Sequence, residues 1–456
     1  MPRSFAFPLL AAILALALAL SPAEAAAKKK RRPARKSRPP LALVWHVETL
    51  DGQVLDSRRG DQAINPASVV KTATTLWALE RLGPEHRFET RVLASGPLQP
   101  SGRLDGDLVI DGGGDPDFQV ENAFLVALEL NRRGVTSVRG ALAVDREFWI
   151  GWEGGSARRD PDPLRRATTM ATRLRRALDP ARWDAAARGA WKHLASARGL
   201  DPARPPKVAI AGGVKVVDEP AGEFLLAHRG QRLVDTLRRM NCFSNNDIER
   251  VGAGLGTAAD LQTWLAERWG LPPGALRLDT TSGLGTNRLT PRMVVSLLRD
   301  LHNVTRRMEL PIEGVLPASG CDPGTVANMY RRISAGPPAS VVGKTGTLTS
   351  TDGGISVFAG FAHTAQGDLI FCVAAPRAAG RLRQARSQEE QWVLELVQRH
   401  GGPVASMCAA PLSFSWDGAE VSPAAAPGPL VAPPRPASTP EEQGAPPEPA
   451  AIRQGG

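Results

Sequence analysis

Two apolar runs, residues 355–361 and 369–374, flank Gln366-Gly367-Asp368, so the chain turns back on itself there as an antiparallel hairpin. A second strand pair is predicted near the start of the folded part. Residues 41–47 read as a mostly apolar strand, and Asp51-Gly52 turns it into Gln53, Val54 and Leu55. Asn65-Pro66 then starts a helix, because Asn can cap and Pro suits the first helical position. That helix runs through Thr72, Leu76, Trp77 and Leu79 to a stop at Gly83-Pro84.

From about His86 to Glu223 the texture changes. Strand-like runs at 88–93, 108–110 and 141–144 alternate with glycine turns. An amphipathic helix follows, with Leu164, Ala167, Ala171, Leu174 and Leu178 on one side and arginines interspersed. Asp179-Pro180 restarts a helix carrying Trp183, Ala187, Trp191 and Leu194. Helices are expected again at 233–240, 258–269 and 292–301, then the hairpin, then a last helix over 384–400 that ends at Gly401-Gly402. From Pro403 on, Pro and Ala dominate and large apolar residues are few, which predicts a mostly disordered tail.

Composition decides between partners. The 456 residues are 42% apolar and 22% charged, as in an ordinary globular protein, and carry a net charge of +10. Eight of the basic residues fall between Lys28 and Arg38 inclusive, with no acidic one among them. Charge confined to one arm is a solvated tail, not a basic face, so a nucleic-acid partner is not expected. Ahead of that arm, Arg3 precedes an apolar stretch over 5–20 and then Ala23-Glu24-Ala25, a small-x-small cleavage signature. The stretch is shorter than the roughly 20 residues a spanning helix needs. Export with cleavage near Ala25 is the expectation; an uncleaved anchor is the other reading, since a basic run just after the apolar stretch opposes the positive-inside rule.

Cys242, Cys321, Cys372 and Cys408 are widely spaced and form no CxxC pair, and the seven histidines include no HExxH. No metal site is expected, and a disulfide is permitted without a choice of pairing.

Three short segments carry chemistry. Ser68 and Lys71, three apart on the predicted helix, share a face; a desolvated Lys71 could take the Ser68 proton. Ser244-Asn245-Asn246 offers a hydroxyl relay and an amide that could orient a substrate amide or a nearby lysine. Lys344-Thr345-Gly346-Thr347 lies in a strand-like region. There Lys344 and the threonine hydroxyls would hold a carboxylate, and Gly346 would let an extended ligand approach. The N–H groups of Thr347 and Ser68 would form an oxyanion hole. Taken singly, each segment has a bland reading as chance, helix cap or edge strand.

Together, the segments resemble the serine acyl-transferase superfamily of penicillin-binding proteins and serine β-lactamases. Further blocks narrow the likeness to class C low-molecular-mass penicillin-binding proteins, the D-alanyl-D-alanine carboxypeptidase/endopeptidase family. Residues 106–116, ending Gly114-Asp115-Pro116, resemble its glycine-rich GDP segment. Residues 281–291, with Ser282-Gly283-Leu284-Gly285 and Asn287-Arg288, resemble its SGLS-x-x-NR-x-TP block, and residues 316–325 the loop before its KTGTL motif. The likeness spans about 41–400 and is weakest at about 148–196, where arginine-rich helices replace part of the usual accessory module. Ile248-Glu249 stands where Ala-Glu is usual.

The resemblance implies a multi-domain α/β fold: a transpeptidase/β-lactamase-like core with an antiparallel sheet and a helical subdomain, plus an inserted accessory domain of strands and helices. The boundaries expected are a signal peptide over 1–25, a basic linker over 26–40, the catalytic domain over 41–85 and 224–402, the insert over 86–223 and the tail over 403–456. Ser68, Lys71, Ser244, Asn246 and Lys344 would be catalytic, with Thr345, Gly346 and Thr347 binding substrate and oxyanion and no cofactor required. Partners would be peptidoglycan peptides and β-lactams, with anionic wall polymer or lipid at the Lys28 to Arg38 arm, in the periplasm or another extracytoplasmic space. The alternatives are a serine β-lactamase, an esterase on the same scaffold and a catalytically idle wall-binding protein.

Overall fold

A computed structural model of the chain describes residues 39–157 and 159–423. The expected signal segment over 1–25, the whole Lys28 to Arg38 arm and residues 424–456 lie outside the described residues.

The predicted hairpin is the middle of a five-stranded antiparallel sheet. Its strands are β1 (Val44–Thr49), β2 (Val54–Arg58), β11 (Val341–Leu348), β12 (Ile355–Thr364) and β13 (Gly367–Pro376), in the order β11-β12-β13-β1-β2. The β12–β13 ladder closes at Thr364 opposite Gly367. Both strands are buried along most of their length, with apolar side chains on both faces, because helices cover both faces. Val357, Ala359, Phe361, Ile370, Cys372 and Ala374 join one core; Phe358, Ala362, Leu369, Phe371 and Val373 join another. The first core is shared with α1 (Lys71–Leu82), α5 (Leu233–Phe243), α6 (Ile248–Ala253), α7 (Ala258–Arg268) and α8 (Pro291–Arg307). The second lies under α9 (Thr325–Met329), α10 (Arg331–Ser334) and α11 (Leu382–Arg399). α8 begins at Pro291, where the Thr290 hydroxyl accepts the Met293 N–H at 3.1 Å, so the end of the 281–291 block is itself a helix start.

The insert builds a separate apolar core around a six-stranded sheet. That sheet contains β3 (Glu89–Ala94), β5 (Leu108–Asp111), β7 (Leu142–Val144), β9 (Val214–Val216), β10 (Glu223–Arg229) and β14 (Glu420–Pro423). A small parallel sheet, β4 (Arg103–Leu104), β6 (Ser137–Val138) and β8 (Ala209–Ile210), adjoins it, and α2 (Val120–Arg132), α3 (Pro163–Ala177) and α4 (Ala185–Ala197) complete it. Among the described residues no helix is long and apolar enough to cross a membrane, and no group of three or more His, Cys, Asp or Glu is arranged to hold a metal ion.

Several expectations change. Ser68 lies on a 3-10 turn, Ala67–Val70, and the α-helix begins only at Lys71. The boundary at 224 moves, because β10 pairs antiparallel with β3 and belongs to the insert's sheet. The tail is not disordered from Pro403: a Cys321–Cys408 disulfide ties it down, and β14 adds to β10. Its apolar residues are few because buried backbone and arginine contacts hold it, not a core of its own. Leu164 is exposed, and Asp179-Pro180 opens a 3-10 turn (Pro180–Arg182) before α4. α2 has no predicted counterpart: Phe124-Leu125-Val126-Ala127 buries a whole turn, and the exposed or half-buried polar residues Glu121, Glu129, Asn131 and Arg132 stand only toward its ends, which blurs the alternation that marks an amphipathic helix.

Candidate active site

The turn bearing Ser68 is clamped from two sides. A Cβ on Gly346 of β11 would stand 2.5 Å from the Pro66 carbonyl oxygen, and one on Gly283 would overlap the carbonyl of Ala67. Gly346 is therefore glycine because the serine turn presses on the strand; room for a ligand is not needed to explain it. Asn65 holds the entry: its Oδ1 accepts the Ala67 N–H at 3.1 Å and its Nδ2 donates to the Gly285 carbonyl at 2.9 Å. Ala67 itself has φ 50°, a left-handed conformation uncommon for a residue with a Cβ, and such strain persists only where surrounding structure enforces it. Behind Ser68 lies the N-terminus of α1, whose dipole favours a developing alkoxide.

Lys71 is fully buried. Its Nζ lies 3.0 Å from Ser68 Oγ, 2.7 Å from Asn246 Oδ1 and 2.7 Å from the Ser282 carbonyl oxygen. Carbonyl oxygens only accept, so Asn246 and Ser282 take two N–H groups. In the neutral amine the remaining position is the lone pair, and it faces the Ser68 hydroxyl. Burial pushes this amine well below the ordinary lysine range, and the Lys344 charge adds to the effect, while Glu249 and Asp247 oppose it. A neutral lysine against a serine hydroxyl is a base poised to take its proton.

Ser244 caps the C-terminus of α5 in a left-handed conformation, φ 53° and ψ 40°. This places its Oγ 2.8 Å from Lys344 Nζ, which also donates to the Thr345 carbonyl at 2.9 Å. Lys344 too is fully buried, and burial brings its amine down to about 7. Along β11, Lys344 and Gly346 face the serine turn while Thr345 and Thr347 face the other way. Thr345 Oγ1 bonds Thr325 Oγ1 at 2.9 Å, and Thr347 Oγ1 accepts from Arg386 Nη2 at 3.2 Å. β11 is an edge strand whose first half is covered: Gly343 N–H donates to the Pro317 carbonyl and Ser319 N–H to that of Val341. The period of two then points the Thr345 and Thr347 N–H groups at the same edge, farther along and next to Ser68.

Ser68, Lys71, Ser244, Asn246, Lys344 and Gly346 thus meet on one side of β11, with the Thr345 and Thr347 N–H groups at its edge, while the hydroxyls of those two threonines lie on the other face. The structure adds others. Glu249 accepts from Ser282 Oγ at 2.5 Å and from the N–H and hydroxyl of Ser156, at 2.6 and 3.0 Å. Asp247 accepts the N–H groups of Glu153 and Gly155 at 2.7 and 2.8 Å. A loop of the insert, from the region least like the family, therefore docks on the two carboxylates beside Lys71. Ser282 and Glu249 lie in segments that resemble the family, whereas nothing in the sequence singles out Glu153 to Ser156; only the fold brings them together. The glycine-rich 106–116 block plays another part: Arg250 donates to the carbonyl of buried Asp115 at 2.7 Å, joining insert to core. A groove of about 600 Å³ beside Trp45 and Trp392 is lined by none of the motif residues, so the chemistry rather than the size of a cavity locates the site.

The sequence matches the D-Ala-D-Ala carboxypeptidase 3 (S13) family over residues 41–162 and 207–395, more than half of the chain. The chain belongs to that family. The stretch between the two matches holds α3 and α4. A D-alanyl-D-alanine carboxypeptidase of Actinomadura sp. (strain R39) is 38% identical over 104 residues, which is 23% of this chain and 19% of that enzyme. A carboxypeptidase of Mycobacterium tuberculosis is 27% identical over 346 residues, 68% of this chain and 71% of that one. A predatory endopeptidase of Bdellovibrio bacteriovorus, solved in complex with an immunity protein, has the same fold, with a TM-score of 0.69 at 21% identity, covering 84% of this chain and 100% of that chain.

Proposed function

We propose that the chain is a serine-type D-alanyl-D-alanine carboxypeptidase and/or endopeptidase that acts on peptidoglycan stem peptides through an acyl-enzyme on Ser68. The observation that carries this reading is the Lys71 amine, 3.0 Å from Ser68 Oγ with two carbonyl oxygens taking its N–H groups. Ser68 Oγ attacks the penultimate D-Ala carbonyl as its proton passes to Lys71. The oxyanion is held by the N–H groups of Ser68 and Thr347. Collapse breaks the amide, and the leaving amine takes a proton relayed through Ser244, which Lys344 holds in place. Water then attacks the ester, releasing the shortened peptide and restoring the Ser68 hydroxyl. When the amide is a cross-link, the same cycle is an endopeptidase.

Several facts about relatives support this. Carboxypeptidase is the activity named for both curated relatives, and penicillin G acylates the Bdellovibrio endopeptidase. A substrate of this kind lies outside the cytoplasm, which agrees with the export signal read in residues 1–25. The arm from Lys28 to Arg38 would then meet anionic wall polymer or lipid, an attraction that weakens with salt. Unchanged wall or membrane association after deletion of the arm would remove that part of the reading.

The test is labelled penicillin followed by peptide mapping, with release of D-Ala from a defined muropeptide measured in parallel. The expected result is durable labelling at Ser68, none in Ser68→Ala, and D-Ala released by the wild type. Rapid turnover of the label points to a β-lactamase instead. Neither labelling nor release points to an idle wall-binding protein.

A further inference from the structure

Acyl transfer at Ser68 calls on no group of the insert, yet a loop of the insert reaches the carboxylates beside Lys71. Asp247 accepts the N–H groups of Glu153, Gly154 and Gly155 at 2.7, 3.3 and 2.8 Å. Three successive N–H groups turned toward one carboxylate form a concave seat for an anion. Glu249 takes the N–H and the hydroxyl of Ser156. Gly155 has φ +68°, and a Cβ on it would stand 2.7 Å from both the Cβ and the backbone oxygen of Asn246. The loop backbone therefore lies directly on the residue whose Oδ1 takes a Lys71 N–H.

The loop is also held from both sides. Arg250 of α6 lies over the Trp149 ring at 4.5 Å, and Arg239 of α5 over Trp152 at 5.6 Å. On the insert side the Glu153 carboxylate pairs with Arg173 of α3, which also donates to the Ile150 carbonyl at 3.4 Å. Lys71 is faced by Lys344 from β11 and by Asp247 and Glu249 from the start of α6, with Arg250 of that helix facing Asp247. Burial and Lys344 disfavour the ammonium, while the two carboxylates favour it. Each N–H or O–H placed on a carboxylate offsets its charge and so weakens its hold on a proton at the lysine.

We propose that Gly155 and Ser156 are positioning residues of the acyl-transfer site: their loop offsets the charge of Asp247 and Glu249, bears on Asn246, and so keeps Lys71 the neutral amine that takes the Ser68 proton. The role rests on the base function given to Lys71 above. With the loop displaced, the carboxylates act on Lys71 without those donors and favour the ammonium, which cannot accept the proton. α3, outside the two stretches that match the family, then bears on the chemistry through Arg173 and Glu153.

The experiment follows penicillin acylation of Ser68 against pH on the full chain, with amide hydrogen exchange over residues 153–156. Ser156 is exposed, so Ser156→Ala removes a hydroxyl without opening the core; Gly155→Ala lifts the loop. The expected result is protected amides in the wild type and an acid limb moved to higher pH, by on the order of half a unit in Ser156→Ala and further in Gly155→Ala. Ser156→Thr keeps the hydroxyl and the wild-type limb. Added to Glu249→Gln, Ser156→Ala moves the limb less than it does alone, because the charge it offsets is gone. Free exchange over 153–156 in the wild type, or labelled variants that melt earlier yet keep the wild-type limb, overturns the assignment and leaves the loop a structural joint. A chain that shows the shifted limb but releases no D-Ala keeps the positioning role and removes the peptidase reading. No labelling of the wild type at any pH removes both.

Discussion

Gly283 packs directly on Ala67: a Cβ added to it would overlap the Ala67 carbonyl oxygen, and its own φ is +88°. The contact fixes the carbonyl side of the turn that presents Ser68, while the neighbouring Ser282 carbonyl fixes Lys71. One short block thus sets both halves of the serine–lysine pair.

Gly283→Ala is therefore expected to displace the turn as well as strain the backbone, which costs about 1–3 kcal/mol for a residue with a Cβ in that region. Penicillin labelling of Ser68 should slow by at least an order of magnitude, more than the loss of stability accounts for at a temperature where the variant is folded. Comparing the labelling rate with the melting temperature checks this. A variant that melts earlier but labels at the wild-type rate would show that the contact serves stability alone.

Glu249 bears on the pH profile. It and Asp247 raise the Lys71 pKa, against the larger lowering by burial and by Lys344. The working form is the neutral amine, so acylation should fall as pH drops through the Lys71 pKa in the folded chain. Glu249→Gln removes a negative charge that favours the ammonium, so the Lys71 pKa drops further and the acid limb moves to lower pH. The measurement is the rate of penicillin acylation against pH. A shift of the limb to higher pH is the outcome this account forbids.

Much of this was legible in the sequence, and the parts that were not share a cause. The hairpin, α1, α5, α8 and α11 follow from local periodicity and turn chemistry. Ser68, Lys71, Ser244 and Lys344 follow from motif order. The 3-10 turn at Ser68 was not legible, because it is imposed by Gly283 and Gly346 from distant parts of the chain. Nor was the docking of Ser156 on Glu249, 93 residues apart, or the ordering of residues 403–423 by contacts to arginines of other elements. α2 was not legible because its middle turn is buried all round and its exposed or half-buried polar residues stand only toward its ends, which blurs the pattern that marks a surface helix. Local rules identified what short segments do alone; long-range contact decided the rest.

Lys344 makes a prediction about stability. Its pKa falls from 10.5 to about 7 on folding, so between those values the unfolded chain binds more protons than the folded one. By linkage this residue costs stability fully below about pH 7, and the cost disappears as pH rises toward 10.5. Lys344→Met removes the linkage. The melting temperature of the variant relative to wild type should be most favourable at or below pH 7 and should decline steadily at higher pH. A difference that stays constant from pH 6 to pH 10 would mean that Lys344 is not depressed in the folded chain.

The last expectation concerns the segment after α11. Cys408 joins Cys321 across 87 residues of sequence, beside the buried pair of Asp322 with Arg238 at 2.7 Å. Farther on, Arg238 donates to the Ala410 carbonyl at 2.5 Å, Arg239 to that of Ser413 at 3.2 Å and Arg87 to that of Gly418 at 2.5 Å, before β14 pairs with β10. The segment therefore spans from the core to the insert's sheet, and the disulfide is one of several attachments. Cys408→Ser should lower stability by about 2–4 kcal/mol, since the loop it closes is long. Because the attachments on Arg238 and Arg239 remain and none of them touches the Ser68 turn, penicillin labelling at Ser68 should persist at temperatures where the variant is folded. Denaturant unfolding alongside labelling separates the two effects. Loss of labelling in a folded Cys408→Ser chain would mean that the disulfide positions the serine through the 316–325 loop, and an unchanged unfolding midpoint would mean that the arginine contacts hold the segment without it.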